Sequence, residues 1–398
     1  MKTKNLLMAA AIALSFVAPT QVFAEYGDDA YKERVALSKQ IKKMKNMRKQ
    51  LPSPPPAGLF GVYAFPEKGQ YVAGVNFQHH EFSGLLNGSN SVSATTAITS
   101  APNQFGNTIA VPNLKVVPNS AKANVILPFI NYTLNDKIAL VAMAPLIEKE
   151  SNMESFSAGD YTVLTPAGPN VNDSVGKFTI KSKGLGDVKF GALYKAYNSE
   201  DNKHNVIIDA VLSAPTGSIE ETDAQIAPMT SEPLGTTVGV LNTSRLGYGM
   251  QLGGGTWDAM VGAAYWGKED KWGYGAQYLA TIPLEDENKN GWRFGDKHEL
   301  TAWSSYSWEP TLVSSFRLRA EHQDEIQGLD PVLAAPGLGA QPGNYGGKII
   351  EASVGVNYMY APAKNISIEY IAPISQDRNG YQAEKDSAIA ISWRNAFF

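Results

Sequence analysis

Hydrophobic and polar residues alternate at every second position along most of the chain after residue 70. In residues 187–196, 311–321, 351–360 and 365–374, aliphatic and aromatic side chains fall mainly on one face. Charged, small polar or glycine residues fall mainly on the other face. A period of two predicts β-strands, because successive side chains of a strand point to opposite sides of the sheet. Strands of about ten residues with one apolar face are the repeating unit of a transmembrane β-barrel.

The alternating segments predict an all-β fold, an antiparallel transmembrane β-barrel of about 12 strands with a short N-terminal helix. Ten or fourteen strands are the alternatives, because the first three strands alternate weakly. The connections are alternately short and long, as expected for periplasmic turns and external loops. The expected strands span residues 70–83, 121–134, 138–150, 184–197, 205–215, 256–267, 272–284, 297–308, 311–327, 348–361, 365–377 and 387–398.

Aromatic residues at strand ends favour a membrane location over a soluble β-sandwich. A sandwich would be expected to bury one face of each sheet and to expose tyrosine and isoleucine less regularly. The C-terminal Phe398 resembles the sorting signal that the barrel-assembly machinery of the bacterial outer membrane reads. The tryptophans expected in an aromatic girdle are Trp257, Trp266, Trp272 and Trp308.

The N-terminal part of the chain differs from the alternating part. Lys2 and Lys4 precede a short apolar run, and small residues follow at a cleavage-type site, which predicts a secretory signal peptide. Heptad-like apolar spacing and a net charge of +4 predict a basic periplasmic helix next. The expected organisation is a signal peptide at 1–24, the helix at 25–51, a proline-rich linker and barrel entry at 52–69, and the barrel at 70–398.

The basic helix has several interpretations. Residues 28–51 either form a short coiled coil that makes a homo-oligomer, bind anionic lipid or a periplasmic partner, or plug the barrel lumen. A mobile, solvated tail is the alternative to all three. The prolines at 54–56 predict a stiff spacer that holds the helix away from the barrel.

Composition narrows the possible functions. The chain has no cysteine, which excludes disulfides, thiolate catalysis and cysteine-ligated metals. Its charge of −4 becomes −6 without the two signal-peptide lysines, and no basic face suggests nucleic acid. His79 and His80 are adjacent on one strand and point to opposite faces. Ser304 and Ser314 have no histidine at a matching height, so we expect no enzyme, no metal and no cofactor.

The polar faces of the strands collect charged residues. These groups either line a hydrated pore that selects what passes, or form a neutralising ion-pair network that fills a narrow lumen. We favour the network, with a narrow path beside it. Loops 84–120 and 216–255 are candidates for an inward-folded lid, and the glycine-rich residues 246–255 are suited to approaching a ligand closely. The lumen-lining candidates are Asp187, Lys189, Lys195, Asp209, Asp258, Glu299, Arg317, Arg319, Glu321, Glu351 and Glu369.

Residues 184–195, GLGDVKFGALYK, resemble a family of outer-membrane proteins known as meta-pathway phenol-degradation proteins or transporters. Further similar motifs are PTG at 215–217, GGGTWD at 253–258, WGYGAQ at 272–277 and RFGDKHELTAW at 293–303. The resemblance implies an outer-membrane channel that passively admits small hydrophobic or aromatic molecules. The basic N-terminal helix is outside that pattern. The alternative is a structural or adhesive surface barrel whose external loops bind a partner.

Overall fold

The computed structural model describes residues 35–39, 55–59, 68–109, 111–159, 170–228, 241–361 and 363–397. The chain divides into two compact units, residues 1–45 and 46–398. In the first unit, residues 35–39 are α-helical, and Ser38 Oγ donates a hydrogen bond to the carbonyl oxygen of Val35 at 2.9 Å. Most of the predicted helix at 25–51, and Phe398, lie outside the described residues.

The second unit is built from β-strands with long structured connections. In the described ranges the strands are β1 (Tyr71–Gly88), β2 (Asn90–Val92), β3 (Val116–Thr133), β4 (Ile138–Met143), β5 (Leu146–Phe156), β6 (Ser174–Leu185), β7 (Val188–Asn198), β8 (His204–Ala214), β9 (Thr222–Ile226), β10 (Leu241–Arg245), β11 (Asp258–Glu269), β12 (Trp272–Pro283), β13 (Trp292–Arg293), β14 (Lys297–Glu309), β15 (Leu312–Gln323), β16 (Gln327–Gly328), β17 (Gly347–Ala361) and β18 (Lys364–Phe397). The helices are α1 (Ala94–Ser100), α2 (Gly106–Ile109) and the 3₁₀ turns Tyr248–Met250, Pro331–Leu333, Leu338–Ala340 and Pro342–Asn344.

The main sheet closes into an antiparallel barrel. Its ring runs β1, β18, β17, β15, β14, β12, β11, β8, β7, β4 and β3, and β3 pairs again with β1. Tyr71 therefore faces Phe397 on one side and Tyr132 on the other. Closure leaves the ring without a free edge, which satisfies the backbone groups that lipid cannot.

The last strand contains a reversal. Residues 364–378 pair with β17, and residues 378–397 pair with β1. Gln376 Nε2 donates to Lys385 O at 3.0 Å, Lys385 N donates to Gln376 Oε1 at 3.2 Å, and Gly380 between them has a φ of 56°. The chain thus folds back near Gly380, and counting the two parts of β18 separately gives twelve strands. The sequence pattern predicts a loop between the strands at 365–377 and 387–398, and this prediction is wrong, because strand pairing continues almost to the turn.

Two of the expected strands are interrupted. Residues 138–150 become β4 and β5, and residues 184–197 become β6 and β7. Pro145, which has no backbone N–H, lies at the first break, and its carbonyl accepts a hydrogen bond from Gly186 N at 2.8 Å at the second. β5 and β6 continue beyond the ring as a hairpin that pairs with β3.

The outward face of the barrel is apolar and exposed. Large aliphatic and aromatic residues on this face recur at every second position, in agreement with the sequence pattern. No helix in the described ranges is long and apolar enough to cross a membrane. Representative outward residues, between 39% and 59% exposed, are Ile126, Ile130, Leu212, Val261, Leu300, Phe316, Val354, Val356, Ile366, Ile368 and Tyr370. An exposed apolar belt around a closed ring is the surface of a membrane-spanning barrel.

The tryptophans divide into two groups. Trp257, Trp272 and Trp308 are exposed at strand ends, as expected for an aromatic girdle. The expectation for Trp266 is wrong, because this residue points inward and is buried in the lumen. Phe397 faces outward and stacks on Tyr71, with 4.8 Å between the ring centroids.

The half of the lumen nearer the short turns is filled by an apolar cluster, here called the lower lumen cluster. Glycines make room for its aromatic rings: a Cβ at Gly74 would lie 2.6 Å from Phe129, and one at Gly275 would lie 2.3 Å from Trp303. The cluster comprises Leu59, Val72, Phe129, Ala139, Val141, Met143, Leu193, Ile207, Val211, Met260, Ala264, Trp266, Leu279, Trp303 and Ala396.

The long loops pack into a cap with buried apolar residues. Ile98 of α1 and Leu338 share one cluster, Tyr248 and Trp292 share a second, and Leu246 belongs to a third. Ser93 caps α1 by accepting a hydrogen bond from Thr96 N at 3.1 Å. The expected lid loops at 84–120 and 216–255 are part of this cap, so their described residues form folded structure at the long-loop end of the barrel.

A charged residue introduced into the apolar belt should destabilise the barrel more when it lies nearer the middle of the bilayer. Val354 lies midway along the outward apolar run of β17, and Ile374 lies near the long-loop end of β18; they are 59% and 63% exposed. We expect Val354→Arg to lower the free energy of unfolding by about 2–4 kcal/mol and Ile374→Arg by about 0–1 kcal/mol. Urea unfolding in lipid vesicles measures both, and equal losses would contradict the assigned belt.

Candidate functional site

The barrel encloses a cavity of about 730 Å³ between the lower lumen cluster and the cap. Its lining combines apolar and charged side chains. Val125, Leu127 and Ile147 of β3 and β5 form an apolar wall. Across the lumen, β14, β15, β17 and β18 contribute most of the charged residues, including Arg319 and Glu351. The cavity is amphipathic and has the size of a small-molecule site.

Arg319 is the centre of an ion network on the charged wall. Its Nε and Nη2 lie 2.9 and 2.6 Å from Glu299 Oε1, and its Nη1 lies 2.6 Å from Glu351 Oε2. Nη2 also donates to Glu321. One guanidinium therefore bridges carboxylates from three neighbouring strands, which its planar fork of donors allows.

Two lysines extend this network at its ends. Lys297 Nζ lies 2.9 Å from Glu299 Oε2, and Lys385 Nζ lies 2.5 Å from Glu351 Oε1. Cations and carboxylates thus alternate across four consecutive strands, so that the charges largely compensate one another. We call this group the upper ion network: Lys297, Glu299, Arg319, Glu321, Glu351 and Lys385.

A second ion pair lies deeper in the lumen. Arg317 Nε donates to Glu369 Oε1 at 2.7 Å, and both side chains are buried, at 4% and 1% exposure. Ser353 Oγ donates to the same carboxylate oxygen. The second oxygen of Glu369 accepts a hydrogen bond from the backbone N–H of Gly58 at 2.7 Å. A buried carboxylate with three donors is well compensated.

Gly58 belongs to a segment, residues 55–59, that lies inside the barrel. Ala57 O accepts a hydrogen bond from Asn76 Nδ2 at 2.6 Å, and Leu59 packs in the lower lumen cluster. A Cβ at Gly58 would lie 2.8 Å from Arg317 Nη2 and 2.9 Å from Glu369 Oε2, so glycine permits the close approach. Pro55 and Pro56 precede this inserted turn, and the role of the prolines at 54–56 as a stiff spacer stays a prediction.

The roof of the cavity comes from the glycine-rich residues 246–255. Lys149 Nζ donates to the carbonyls of Gly249 and Gln251, at 2.9 and 2.6 Å. Ser182 Oγ donates to Met250 O at 2.6 Å. The segment was predicted to approach a ligand closely. The described hydrogen bonds instead join it to the barrel wall and hold it over the lumen.

Asp187 ties two loops to the break between β6 and β7. Its carboxylate oxygens accept hydrogen bonds from Gly217 N and Gly254 N, each at 2.8 Å. A Cβ at Gly253 would lie 2.4 Å from Asp187 Oδ1, so this part of the roof requires glycine. The carboxylate predicted to line the lumen does so, but its hydrogen bonds hold the roof.

On its outer side the roof is held by cap tyrosines. Tyr345 Oη accepts a hydrogen bond from Gly249 N at 2.9 Å and donates one to Gly339 O at 2.8 Å. Tyr248 Oη accepts from Asp330 N at 2.9 Å. Burial raises the pKa of both Tyr345 and Tyr248 above the ordinary value, so both hydroxyls stay protonated and can donate.

The structure brings eight of the eleven predicted lumen residues to the cavity. Lys195 lies nearer the short turns, where its backbone N–H donates to Lys137 O at 2.7 Å. Asp209 is buried and accepts a hydrogen bond from Gln277 at 3.3 Å. Glu369 does not line the cavity, although its partner Arg317 does. The eight at the cavity are Asp187, Lys189, Asp258, Glu299, Arg317, Arg319, Glu321 and Glu351.

Several charged residues of the cavity are absent from the set predicted from the sequence. Lys297 shares a face with Glu299, two positions along, and this spacing was a usable signal. Lys385 lay in a segment expected to be a loop, and Lys149 at the end of an expected strand. Arg378 and the inward His80 also line the cavity. Nothing in the alternation pattern identified Gly58 and Leu59, because a short inserted turn has no period.

Catalytic and metal groupings are not seen in the described ranges. Ser314 Oγ accepts a hydrogen bond from Trp308 Nε1 at 3.0 Å. The outward His298 bonds to Tyr278, and His79 bonds to Asn124, so neither is paired with a serine there. No group of three or more histidine, aspartate or glutamate residues in these ranges is arranged to hold a metal ion.

Comparison with known proteins agrees with the barrel architecture. No protein-family model and no curated protein matches the sequence. An outer-membrane channel from Pseudomonas putida F1 superposes with a TM-score of 0.51 and 15% identity, covering 87% of this chain and 100% of that one. At this identity the similarity establishes the fold. Together with the apolar belt, it identifies a β-barrel of the outer-membrane type.

Two further solved structures are more distant. The toluene transporter TbuX of Ralstonia pickettii gives a TM-score of 0.39 and 10% identity, covering 84% of this chain and 90% of that one. A FadL homologue of Pseudomonas aeruginosa also gives 0.39 and 10%, covering 82% and 90%.

Arg317 and Glu369 should be energetically coupled. Removing one of the two charges should therefore lower the free energy of unfolding more than removing both. We expect Arg317→Met to cost about 3–5 kcal/mol, because it leaves a buried carboxylate without its cation. The double variant Arg317→Met/Glu369→Met should be more stable than Arg317→Met alone, since no buried charge is left unpaired. Urea unfolding in vesicles tests the double-mutant cycle, and additive losses would show that the two groups are uncoupled.

Proposed function

We propose that this outer-membrane barrel is a channel that passively admits small, largely hydrophobic or aromatic molecules. The observation that carries the proposal is the cavity of about 730 Å³ enclosed inside a membrane-spanning ring. A space of this size accepts a small organic molecule and excludes macromolecules. The solved barrel from Pseudomonas putida F1 is described as an outer-membrane channel, and the proposal extends that role to this chain.

The two walls of the cavity suggest the chemistry of the cargo. Leu127, Ile147 and Met260 offer apolar surface to a ring or short chain. The cations and carboxylates of the upper ion network already neutralise one another, so they offer polar contacts without a strong net charge. A molecule with an apolar body and at most a small polar group fits this lining. The resemblance of residues 184–195 to phenol-degradation proteins supports aromatic compounds as the cargo.

Passage through the lumen requires a path past both boundaries of the cavity. The floor is formed by residues 55–59 and the lower lumen cluster, and the roof by residues 246–255. At the floor, the described hydrogen bonds from this segment to the wall are those of Gly58 and Ala57. The roof is bonded to Lys149, Ser182, Asp187 and Tyr345. Among the described residues, opening of the floor therefore requires the hydrogen bonds of Gly58 and Ala57 to break.

The channel proposal predicts that filling the cavity blocks uptake. Leu127 and Leu279 point into the cavity, whereas their neighbours Ile126 and Tyr278 point to lipid. We expect Leu127→Trp/Leu279→Trp to abolish most of the uptake of radiolabelled phenol or toluene that the wild-type protein supports. The measurement is the initial uptake rate in cells that lack the chromosomal gene and carry each variant at matched outer-membrane levels.

The matched control is Ile126→Trp/Tyr278→Trp, which adds indole rings to the same strands on the lipid face. This variant should keep the wild-type rate, because aromatic residues are tolerated on that face. If cells with the wild-type barrel take up neither compound faster than cells without it, the proposed function is wrong.

A further inference from the structure

The outward face of β3, β5 and β6 carries a charged patch directly beyond the edge of the apolar belt. On β3, β5 and β6, the last apolar row consists of Ile126, Leu146 and Leu185, which face one another in register. All three are more than 40% exposed. The next two rows on the same face, towards the long loops, are polar and charged. They read Asn124, Glu148 and Lys183, and then Lys122, Glu150 and Lys181.

The position of these rows corresponds to the lipid headgroups. Residues on one face of a strand repeat about every 6.6 Å, and a strand tilt of about 40° reduces this to about 5 Å along the membrane normal. The two charged rows therefore lie about 5 and 10 Å beyond the apolar belt, within reach of the headgroup layer that flanks the hydrocarbon core. They are at the long-loop end, which faces the outside of the cell.

The lysines of these rows remain available to a ligand. Lys122 Nζ and Lys181 Nζ each lie 3.1 Å from a carboxylate oxygen of Glu150, yet their side chains are 48% and 64% exposed. Exposed ion pairs of this kind contribute little to stability, and an ammonium has three donors, so each lysine can contact a phosphate while it keeps its carboxylate partner. Lys183 is exposed beside Glu148. Other charged or titratable neighbours are Glu81, in register with Lys122, and His79, whose Nε2 lies 3.4 Å from Glu81 Oε1. Asp223 accepts a hydrogen bond from the backbone N–H of Lys181 at 2.7 Å.

Three described strands elsewhere in the ring carry fewer lysines at the corresponding height. The corresponding outward rows of β14, β15 and β17 carry His298, His322 and Lys348, which are in register with one another. Three lysines within two rows thus distinguish the face formed by β3, β5 and β6. A cluster of lysines beside an apolar surface is complementary to an anionic lipid, whose phosphates it can bind while the acyl chains cover the belt.

We propose that Lys122, Lys181 and Lys183 bind the phosphate groups of the outer-leaflet glycolipid and hold one such lipid against β3, β5 and β6. The acyl chains of that lipid lie on Ile126, Leu146 and Leu185. This surface is on the outside of the ring and is separate from the cavity. Lipid binding at this surface therefore does not depend on whether the barrel transports the proposed cargo.

The test compares lipid binding by purified barrels in detergent. Native mass spectrometry with added bisphosphorylated lipid A should show saturable binding to the wild-type protein. Lys122→Gln/Lys181→Gln/Lys183→Gln should weaken that binding about tenfold or more. The charge-matched control is Lys137→Gln/Lys203→Gln/Lys271→Gln in the short turns, and it should bind like the wild type. Lipid A without phosphates should bind all three proteins weakly.

Three results would overturn the proposal. The first is undiminished lipid A binding by the triple variant, with unchanged heat-modifiable mobility to show that it is folded. The second is equally tight binding of phosphatidylglycerol that depends on the same lysines, which would show a general phosphate surface. The third is loss of binding in Glu148→Gln/Glu150→Gln together with its abolition by a chelator, which would assign the contact to carboxylates and a divalent cation.

Discussion

Closure of the backbone hydrogen-bond ladder between β1 and its neighbours β3 and β18 is the constraint on which the rest of the structure depends. In hydrocarbon, an unpaired strand edge would leave a row of backbone groups without partners. Because the ring closes, every strand of the ring must present one side to lipid and the other to the lumen. The apolar belt, the ion network and the enclosed cavity are consequences of this division.

The lumen accommodates charge partly because every member of the upper ion network and of the Arg317–Glu369 pair has a partner of opposite sign. Arg319 joins carboxylates from three strands, and Arg317 compensates Glu369 deeper in the barrel. An isolated ion in this position would carry a large desolvation cost. The paired groups leave a cavity that is polar on one side and apolar on the other. This arrangement fits a narrow route for small amphipathic or aromatic molecules better than a wide aqueous pore.

The two ends of the cavity are closed by different means. Towards the cell exterior, buried tyrosines and a lysine fix a glycine-rich roof beneath a cap that has apolar clusters of its own. Towards the short turns, residues 55–59 enter the barrel and complete an apolar cluster with two tryptophans. The outer surface adds a third environment, because on β3, β5 and β6 charged rows follow the apolar belt at the height proposed for the lipid headgroups. Each environment follows from the side of the wall on which a residue falls.

The sequence by itself determined the class of fold, most strand positions and the face of each strand, because a strand alternates its side chains with a fixed period. It therefore placed Arg319, Glu299 and Glu351 in the lumen. It did not determine that Trp266 points inward, that Lys385 reaches Glu351, or that Gly58 enters the barrel to bond Glu369. Those contacts join residues far apart in the chain or lie in segments without a period. Only ring closure and strand register, which are properties of the tertiary structure, decided which of these residues meet.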